Sequence, residues 1–381
     1  MTLAITAKAN QLKAQGFDVM SFGAGEPDFD TPEYIQAAGI HAIKAGFTRY
    51  TPASGIIELK KAIADKLLVD NGLKYEPDEI IVNCGAKHSI STALQAICNS
   101  KDQVIIPVPY WVSYPEMVKL VGAVPIFVET KAENNFKITK EDIKPVITHE
   151  TKAIILNSPS NPTGAVYSKK ELQDIAELAV ENQFYVISDE VYEKLIYDDK
   201  EHISIASLGE EIRKLTIVIN GMSKAFAMTG WRLGYTAANK DVISAMGRIQ
   251  SHAISHPSSI SQYAGVIALR DDEGIIEEKL NEFDKRRRYM IERLDNMENV
   301  GYIYPEGAFY IMVDVSKVFG RTIGNITINS SLDFSNAILE KEYVAVIPGA
   351  AFGADQYIRL SYATSMETIE EGLNRLERFI K

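Results

Sequence analysis

The chain has 381 residues, of which 46% are hydrophobic and 24% charged, and this composition is typical of an ordinary globular protein. At roughly 150 residues per domain, the length predicts two or three domains, or one large domain with a smaller partner. The formal net charge of −11 argues against a nucleic-acid partner, and no apolar run approaches the ~20 residues of a membrane span, so we expect neither kind of partner.

Short β-rich runs alternate with helical patterns up to about Asp271, which predicts an α/β fold with a mostly parallel sheet. The predicted strands comprise residues 79–83, 103–107, 124–128, 152–157, 184–188, 216–220 and 233–238. The predicted helices comprise residues 87–99, 111–121, 168–181 and 240–251. Ser168 and Glu171 form a capping box that starts the third of these helices.

Beyond about Asp271 the pattern changes to that of a second, smaller unit. A long charged amphipathic helix is predicted from about residue 272 to residue 297, followed by strands at 308–313, 344–347 and 357–361 and helices at 332–341 and 366–380. We predict a large domain of residues 33–285 and a small α+β domain of residues 1–32 and 286–381, with the long helix as connector. The basic run KRRR at residues 285–288 of this helix is interpreted as a solvated face, with nucleic-acid contact the weaker alternative.

Cysteine and histidine usage limits the metal chemistry and suggests a compartment. Cys84 and Cys98 are the only cysteines and form no close ligand pair, and the six histidines never pair at metal spacing, so we expect no metal. Sparse cysteine and the lack of a signal-peptide pattern in residues 1–10 favour a cytoplasmic protein.

Polar residues that follow predicted strands are the first candidates for a site, because ligands of open parallel sheets bind outside the carboxyl ends of strands. Residues 83–87 (NCGAK) join a strand to a helix, and small residues there let backbone N–H groups approach a phosphate. Alone, such a glycine is more often a simple turn. Residues 157–164 (NSPSNPTG) contain two X-Pro bonds and predict a rigid loop, which is either a stiff turn or a platform that aims the Asn161 amide at a ligand.

Two further strand ends carry charged residues. Asp189 closes an apolar run, where a carboxylate is costly unless a cation or protonated nitrogen pairs with it; an exposed acidic loop is the weaker alternative. Lys224 lies among apolar and aromatic residues, a setting that lowers the pKa of a lysine and makes its amine nucleophilic. Arg232 follows closely and is suited to bidentate contact with a phosphate.

An ordered set of short motifs extends over most of the chain. It comprises GAGEPDF at residues 23–29, RYTP at 49–52, PYWVSYP at 109–115, NPTG at 161–164, SK at 223–224, GWRLG at 230–234 and IRLSY at 358–362. This set resembles the class I/II pyridoxal-phosphate-dependent aminotransferases of fold type I, and is most similar to the prokaryotic aspartate and aspartate/prephenate branch. The resemblance implies a large domain with a mostly parallel seven-stranded sheet flanked by helices, a smaller α+β domain, and ping-pong amino transfer.

The resemblance also assigns roles around the cofactor, pyridoxal 5′-phosphate. Lys224 forms the Schiff base and moves the substrate α-proton, while Asp189 pairs with the pyridinium nitrogen and keeps it protonated. Tyr192 and Asn161 hydrogen-bond the ring phenolate oxygen, and Trp111 stacks on the ring. The implied phosphate contacts are Gly85, Ala86, Lys87, Ser223 and Arg232, together with Tyr50 of the neighbouring subunit in a homodimer with shared active sites.

The implied substrates are amino acids and 2-oxo acids, namely L-aspartate and 2-oxoglutarate, which give oxaloacetate and L-glutamate. The implied substrate contacts are Gly25, Lys87, Trp111, Asn161 and Arg359, of which Arg359 clamps the α-carboxylate. In this branch the lysine at the position of Lys87 contacts the distal carboxylate. A cation is disfavoured at a helix start, which supports a functional reason for Lys87 over a merely structural one.

Several alternatives stay open. Prephenate, alanine and aromatic specificities depend on pocket shape, and relatives carry a basic, proline-containing segment ahead of the stretch that resembles residues 2–5, which contributes to prephenate preference. A carbon–sulfur lyase would use the same lysine without a keto-acid acceptor. A cofactor-sensing domain of a transcription regulator is disfavoured, because the chain shows no basic DNA-binding module.

Overall fold

The computed structural model describes residues 2–270, 274–323 and 326–381, which form thirteen α-helices and fifteen strands. The helices are α1 Thr2–Ala14, α2 Glu33–Lys44, α3 Ile57–Asn71, α4 Ala86–Ile97, α5 Tyr114–Leu120, α6 Lys140–Ile143, α7 Lys169–Asn182, α8 Glu210–Leu215, α9 Lys240–Ala253, α10 Ser259–Arg270, α11 Ile275–Asp295, α12 Ser331–Glu342 and α13 Met366–Ile380. The strands are β1 Met20–Ser21, β2 Ile80–Asn83, β3 Gln103–Val108, β4 Val124–Glu129, β5 Thr151–Asn157, β6 Tyr185–Asp189, β7 Thr216–Gly221, β8 Gly234–Ala237, β9 Gly301–Ile303, β10 Tyr310–Asp314, β11 Thr322–Ile323, β12 Ile326–Thr327, β13 Val344–Ala345, β14 Ile347–Pro348 and β15 Tyr357–Ser361.

The main sheet has seven strands in the order β2-β8-β7-β6-β5-β3-β4, and it confirms the predicted α/β sheet. All pairs are parallel except those of β8, which runs antiparallel to both β2 and β7. In register, Asn157 lies opposite Asp189, and Asp189 lies opposite Ile219. The carboxyl ends of β5, β6 and β7 therefore lie side by side at one edge of the sheet. Candidate site residues lie at these strand ends or in the loops that follow them.

Both faces of this sheet are covered by helices. Along β5, Ala153 and Ile155 pack into one buried cluster, whereas Ile154 and Leu156 pack into the cluster on the opposite face. The alternation follows from the two-residue period of a strand, and continuous apolar runs are expected where both faces are buried. Each fully buried isoleucine or leucine contributes about 1.5–3 kcal/mol, so these clusters fix the strand ends firmly.

The remaining elements form a smaller unit around a four-stranded antiparallel sheet of order β14-β15-β10-β9. The predicted strand at residues 344–347 is wrong in one respect, because it is two strands that belong to different sheets. Val344–Ala345 pairs in parallel with β1, whereas Ile347–Pro348 pairs antiparallel with β15. Val346, fully buried between them, is where the chain crosses from one sheet to the other.

The long helix α11 spans the two units. Ile276 packs in a cluster with the main sheet, whereas Phe283, Met290 and Leu294 pack in the cluster of the smaller unit. The predicted start at residue 272 lies outside the described residues, and the helix ends at Asp295. The helix thus packs against both units, and its role as a connector between two domains stays a prediction.

The interpretation of the basic run as a solvated face is wrong for two of its members. Arg286 and Arg287 are buried, at 6% and 1% exposure. Arg286 forms an ion pair with Asp28, and Arg287 forms one with Asp198 in addition to a cation–π contact with a tyrosine ring. A buried charge requires such partners, so this segment joins α11 to the loops around it.

Among the described helices, none is both long and apolar enough to cross a membrane.

Candidate active site

A cavity of about 460 Å³ lies beside the carboxyl ends of the main sheet and is closed on one side by β10 and β15 of the smaller unit. Most of the predicted site residues line it together. They are Gly25, Ala86, Lys87, Trp111, Asn161, Asp189, Tyr192, Ser223, Lys224, Arg232 and Arg359. Residues that are far apart in sequence thus meet in one cavity, and two separate sheets supply its walls.

Two predicted site residues do not line this cavity. Gly85 lies directly behind Arg232, where a Cβ atom would be 2.5 Å from Nη2 of the guanidinium. Tyr50 is 89% exposed and contacts only the edge of the His256 ring among the aromatic rings of the described residues. Its predicted contact with a neighbouring subunit stays a prediction.

Lys224 lies in the loop that follows β7 and reaches back to the N-terminal segment. Its Nζ donates a hydrogen bond to the carbonyl oxygen of Gly25 and lies 5.7 Å from the ring centroids of Tyr192 and Phe309. Burial, assisted by the charge of Arg359, lowers the pKa of this amine to about 8, although Glu26 acts in the opposite direction. At neutral pH roughly a tenth of the amine is therefore uncharged, far more than for an ordinary lysine, and this is the form that attacks a carbonyl carbon.

Asp189 ends β6 as a buried carboxylate, at 4% exposure. It accepts hydrogen bonds from the Tyr114 hydroxyl at 2.6 Å and from the Val191 N–H at 3.4 Å. No basic nitrogen of the described residues forms an ion pair with it. Burial raises its pKa to about 6, partly offset by the Tyr114 hydroxyl. The positive partner that the sequence predicted for Asp189 is therefore not supplied by an ion pair within the described residues.

The N-terminus of α4 and Arg232 form an anion-binding corner. Gly85 caps the helix with a φ of 83°, and the first N–H groups of a helix have no intrahelical acceptor. Arg232 donates from Nη1 to the Thr229 carbonyl at 2.8 Å and from Nη2 to the Cys84 carbonyl at 3.3 Å. Within the described part of the chain it has no carboxylate partner, so its charge is available to a phosphate.

Arg359 is the most deeply buried cation of the cavity, at 6% exposure. Nη1 donates to Oδ1 of Asn161 at 2.9 Å, and Nη2 lies 3.5 Å from the Gly23 carbonyl. Its buried Nε has no hydrogen-bond partner within the described residues. Burial lowers the pKa of this guanidinium. A buried charge with an unused donor indicates that a carboxylate ligand belongs beside it.

Lys87 and Trp111 form the outer part of the wall. The Nζ of Lys87 lies 5.0 Å from the Trp111 ring centroid, and the Trp111 ring meets Tyr114 edge to face at 5.3 Å. Among the described acidic side chains, none forms an ion pair with Lys87. Like Arg232 and Arg359, Lys87 is therefore a cavity-lining cation that has no acidic partner among the described residues.

Several lining residues were not among the predicted site residues. They are Glu26, Val112, Tyr114, Asn157, Val191, Thr229, Tyr310 and Phe352. Glu26 and Tyr114 fall inside motifs that the sequence singled out, at residues 23–29 and 109–115. Tyr310 carries no local signal, because its place in the cavity depends on the pairing of β10 with β15.

Comparison with known proteins identifies the family. The model of the family described as aminotransferase class I and II matches residues 18–376. The chain belongs to this family. It is thus an aminotransferase of the α/β architecture that its motifs predicted, and the predicted enzyme class is confirmed.

Individual aminotransferases are similar over nearly their whole length. An aspartate aminotransferase of Bacillus sp. (strain YM-2) is 50% identical over 380 residues, which are 100% of this chain and 96% of that protein. A probable aspartate/prephenate aminotransferase of Aquifex aeolicus (strain VF5) is 43% identical, over 100% and 95% of the two chains. The crystal structure of the aspartate aminotransferase from Rhizobium meliloti superimposes with a TM-score of 0.96 at 40% identity, covering 99% and 95%.

Proposed function

We propose that the chain binds pyridoxal 5′-phosphate and transfers the amino group of L-aspartate to 2-oxoglutarate by a ping-pong mechanism, giving oxaloacetate and L-glutamate. One observation carries the choice of substrate. Arg359 and Lys87 both face the cavity of Lys224, and neither has an acidic partner among the described residues. Two unpaired cations suit a ligand with two carboxylates, such as aspartate or glutamate.

The chemistry of the cavity residues fits the cofactor. Arg232 and the N-terminus of α4 would hold the phosphate, with Ser223 and the backbone of Gly85, Ala86 and Lys87 nearby. Asp189 would hold a proton on the pyridine nitrogen, since its buried carboxylate lacks a cation. Pyridoxal 5′-phosphate, when bound, supplies a conjugated ring that withdraws electron density from the substrate α-carbon.

The hydroxyl and amide groups on the opposite side of the cavity suit the phenolate edge of the ring. Asn161 Oδ1 accepts from Arg359, and its Nδ2 donates to no acceptor of the described residues. Tyr192 is buried with its hydroxyl in the cavity wall, and burial raises its pKa well above the usual value, so it stays a donor. Trp111 would supply a flat surface for stacking.

The substrate would be held from both units at once. Arg359, on β15 of the smaller unit, would bind the α-carboxylate through its free Nε and a terminal nitrogen. Lys87, at the start of α4, would bind the distal carboxylate. Lys224 would then move the α-proton, because its lowered pKa lets the amine accept a proton near neutral pH.

Assembly and domain division form part of the same proposal. Tyr50 would reach the phosphate in the neighbouring subunit of a homodimer, which is consistent with its 89% exposure in the single chain. Residues 33–285 would form the large cofactor-binding domain, and residues 1–32 with 286–381 the small domain. The shared helix α11, which packs in both cores, supports a division near its middle.

The proposal is tested by measuring the two half-reactions of amino transfer separately in an absorption experiment. Holoenzyme should have a near-visible absorption band that L-aspartate alone bleaches, with one oxaloacetate released per site; 2-oxoglutarate should then restore the band and yield L-glutamate. A panel of prephenate, alanine and phenylalanine, each against the same holoenzyme, ranks the alternatives. The assignment of aspartate is overturned if one of these bleaches the band with a higher kcat/KM. Pyruvate release from cystathionine without a keto acid would instead favour the carbon–sulfur lyase.

A further inference from the structure

Tyr310 contacts two of the candidate site residues, Arg359 and Tyr192. It lies on β10, is fully buried, and is one of the cavity-lining residues. The guanidinium carbon of Arg359 lies 4.2 Å from its ring centroid. Its hydroxyl lies 3.0 Å from the hydroxyl of Tyr192. One side chain thus touches the candidate carboxylate clamp and the candidate phenolate donor.

The strand pairing explains this position. In the β10–β15 ladder Tyr310 lies opposite Ser361, and Met312 lies opposite Arg359. Tyr310 and Arg359 are therefore diagonal neighbours on one face of the sheet, about 7–8 Å apart at the backbone, which is within reach of an aromatic ring and a long side chain. The backbone register alone brings the ring under the guanidinium.

The ring of Tyr310 is the nearer of the two aromatic rings that contact the guanidinium of Arg359. The guanidinium has one hydrogen bond to Asn161 and one long contact to the Gly23 carbonyl, and a second ring, Phe352, lies 5.0 Å away. A cation held over aromatic faces keeps its planar edge free. The unpartnered Nε of Arg359 is thereby left to a carboxylate.

The hydroxyl contact sets a direction for one proton. Each tyrosine hydroxyl has one proton to donate, and burial raises the pKa of both groups, so both stay protonated. If Tyr192 donates to the phenolate oxygen of the cofactor, only Tyr310 is left to donate across the 3.0 Å contact. Accepting this bond makes the Tyr192 hydroxyl a stronger donor.

We propose that Tyr310 is a positioning residue of the aminotransferase, whose ring holds Arg359 for the substrate carboxylate and whose hydroxyl directs the proton of Tyr192 toward the cofactor. The inference rests on the proposed function. It predicts that the effect of the ring on Arg359 and the effect of the hydroxyl on Tyr192 can be measured independently. One substitution removes only the hydroxyl, and a second removes the ring as well.

The first variant is Tyr310→Phe, which keeps the ring. In the resting holoenzyme, the pH midpoint of the near-visible band should rise by about half a unit, because a weaker donor stabilises the ring phenolate less. The dissociation constant of maleate, a dicarboxylate that does not react, should stay within about twofold of wild type. Spectroscopic titration of the resting enzyme measures both.

The second variant is Tyr310→Leu, which removes the ring too. Its maleate dissociation constant should rise about tenfold, and its band midpoint should move as in Tyr310→Phe. The matched control is Tyr362→Phe, which removes a buried tyrosine hydroxyl that donates to the Ala308 carbonyl outside the cavity. The control should leave both the midpoint and the maleate affinity unchanged.

The outcomes distinguish this inference from the proposed function. If wild-type protein loaded with the cofactor shows no near-visible band that titrates, the proposed function is overturned, and this inference with it. If the wild-type band titrates normally but Tyr310→Phe leaves the midpoint unshifted, the inference alone is overturned. The same holds if Tyr362→Phe shifts the midpoint equally, since the effect would then be a general one of the buried sheet. Should Tyr310→Leu fail to fold, Tyr310→Phe still decides.

Discussion

The guanidinium of Arg232 packs against the bare α-carbon of Gly85, so closely that a Cβ atom there would be 2.5 Å from Nη2. Arg232 itself is held in a left-handed conformation, with a φ of 54°. Five strands of the main sheet, β3 to β7, lie between the glycine and the arginine in the sequence. The two residues meet because β8 runs antiparallel beside β2. A side chain at position 85 would therefore have to displace the guanidinium of Arg232, and the φ of 83° at this position also favours glycine.

Substituting alanine for Gly85 should displace Arg232 and weaken cofactor binding. We expect the dissociation constant of pyridoxal 5′-phosphate to rise between about tenfold and a hundredfold, since a charge-assisted hydrogen bond is worth about 1.5–3 kcal/mol. Titration of cofactor-free protein measures it. Gly72→Ala controls for the general effect of alanine at a glycine with positive φ, because Gly72 has a φ of 65° at the end of α3 and nothing within 4 Å of its would-be Cβ. Equal weakening in both variants would mean that backbone strain alone is responsible.

The Asp189 carboxyl should make the cofactor-free protein less stable as pH rises. Its pKa is about 6 in the folded chain and about 3.9 unfolded, so the folded state binds more protons between these values. Stability should fall as pH increases through this window and stay low above it. Asp189→Asn removes the charge, so above pH ~7 the cofactor-free variant should be more stable by up to about 2 kcal/mol. Urea unfolding at pH 4 and pH 7.5 tests the sign.

The same substitution should damage the holoenzyme. Without a negative charge beside the pyridine nitrogen, kcat should fall on the order of a hundredfold or more. Steady-state kinetics with saturating cofactor measures this loss. A variant that is destabilised at pH 7.5 yet fully active would contradict both predictions.

Lys224→Ala should abolish both the near-visible band and turnover, while the fold is retained. The control is Lys60→Gln: burial also lowers the pKa of Lys60, but this lysine bonds Ser54 and does not line the cavity. The control should keep the band and at least about half of the turnover. Circular dichroism verifies the fold of each variant. Full activity in Lys224→Ala would remove the basis of the proposed function.

Substitution of Lys87 should affect aspartate alone, whereas substitution of Arg359 should affect both aspartate and alanine. Lys87→Ser should raise KM for aspartate by about tenfold or more, because a charge-assisted bond to the distal carboxylate is lost, while KM for alanine changes little. Arg359→Gln should raise KM for both amino acids, since both carry the α-carboxylate. An equal effect of Lys87→Ser on alanine would assign Lys87 to the cofactor rather than to the substrate.

The sequence predicted the main sheet well and several helices poorly. Every predicted strand of the sheet is present, because buried parallel strands form continuous apolar runs between turn residues. Helices α2 and α3 were not predicted, since apolar residues also lie on their outer faces. Ile40 and Ile43 are more than half exposed, and Val69 is 81% exposed, which obscures the helical period.

The residues of the candidate site likewise include some that the sequence revealed and some that it did not. Residues that stand at strand ends or inside dense motifs, such as Asp189 and Lys224, were accessible to sequence reasoning because their chemistry is local. Tyr310 was not, since its importance arises from cross-strand register with Arg359. The buried arginines of α11 were misread for a related reason: their acidic partners Asp28 and Asp198 lie far away in sequence.

The unpaired cations of the cavity contrast in sign with the net charge of the whole protein, which is −11. At low ionic strength, where the Debye length reaches about 30 Å, a ligand with two carboxylates meets a repulsive field outside the protein, whereas within the cavity it meets Lys87, Arg232 and Arg359. Attraction thus begins only after the ligand has entered, so added salt should speed capture at low ionic strength before it weakens binding. Discrimination among amino acids is then exercised at close range, and long-range steering contributes little to it.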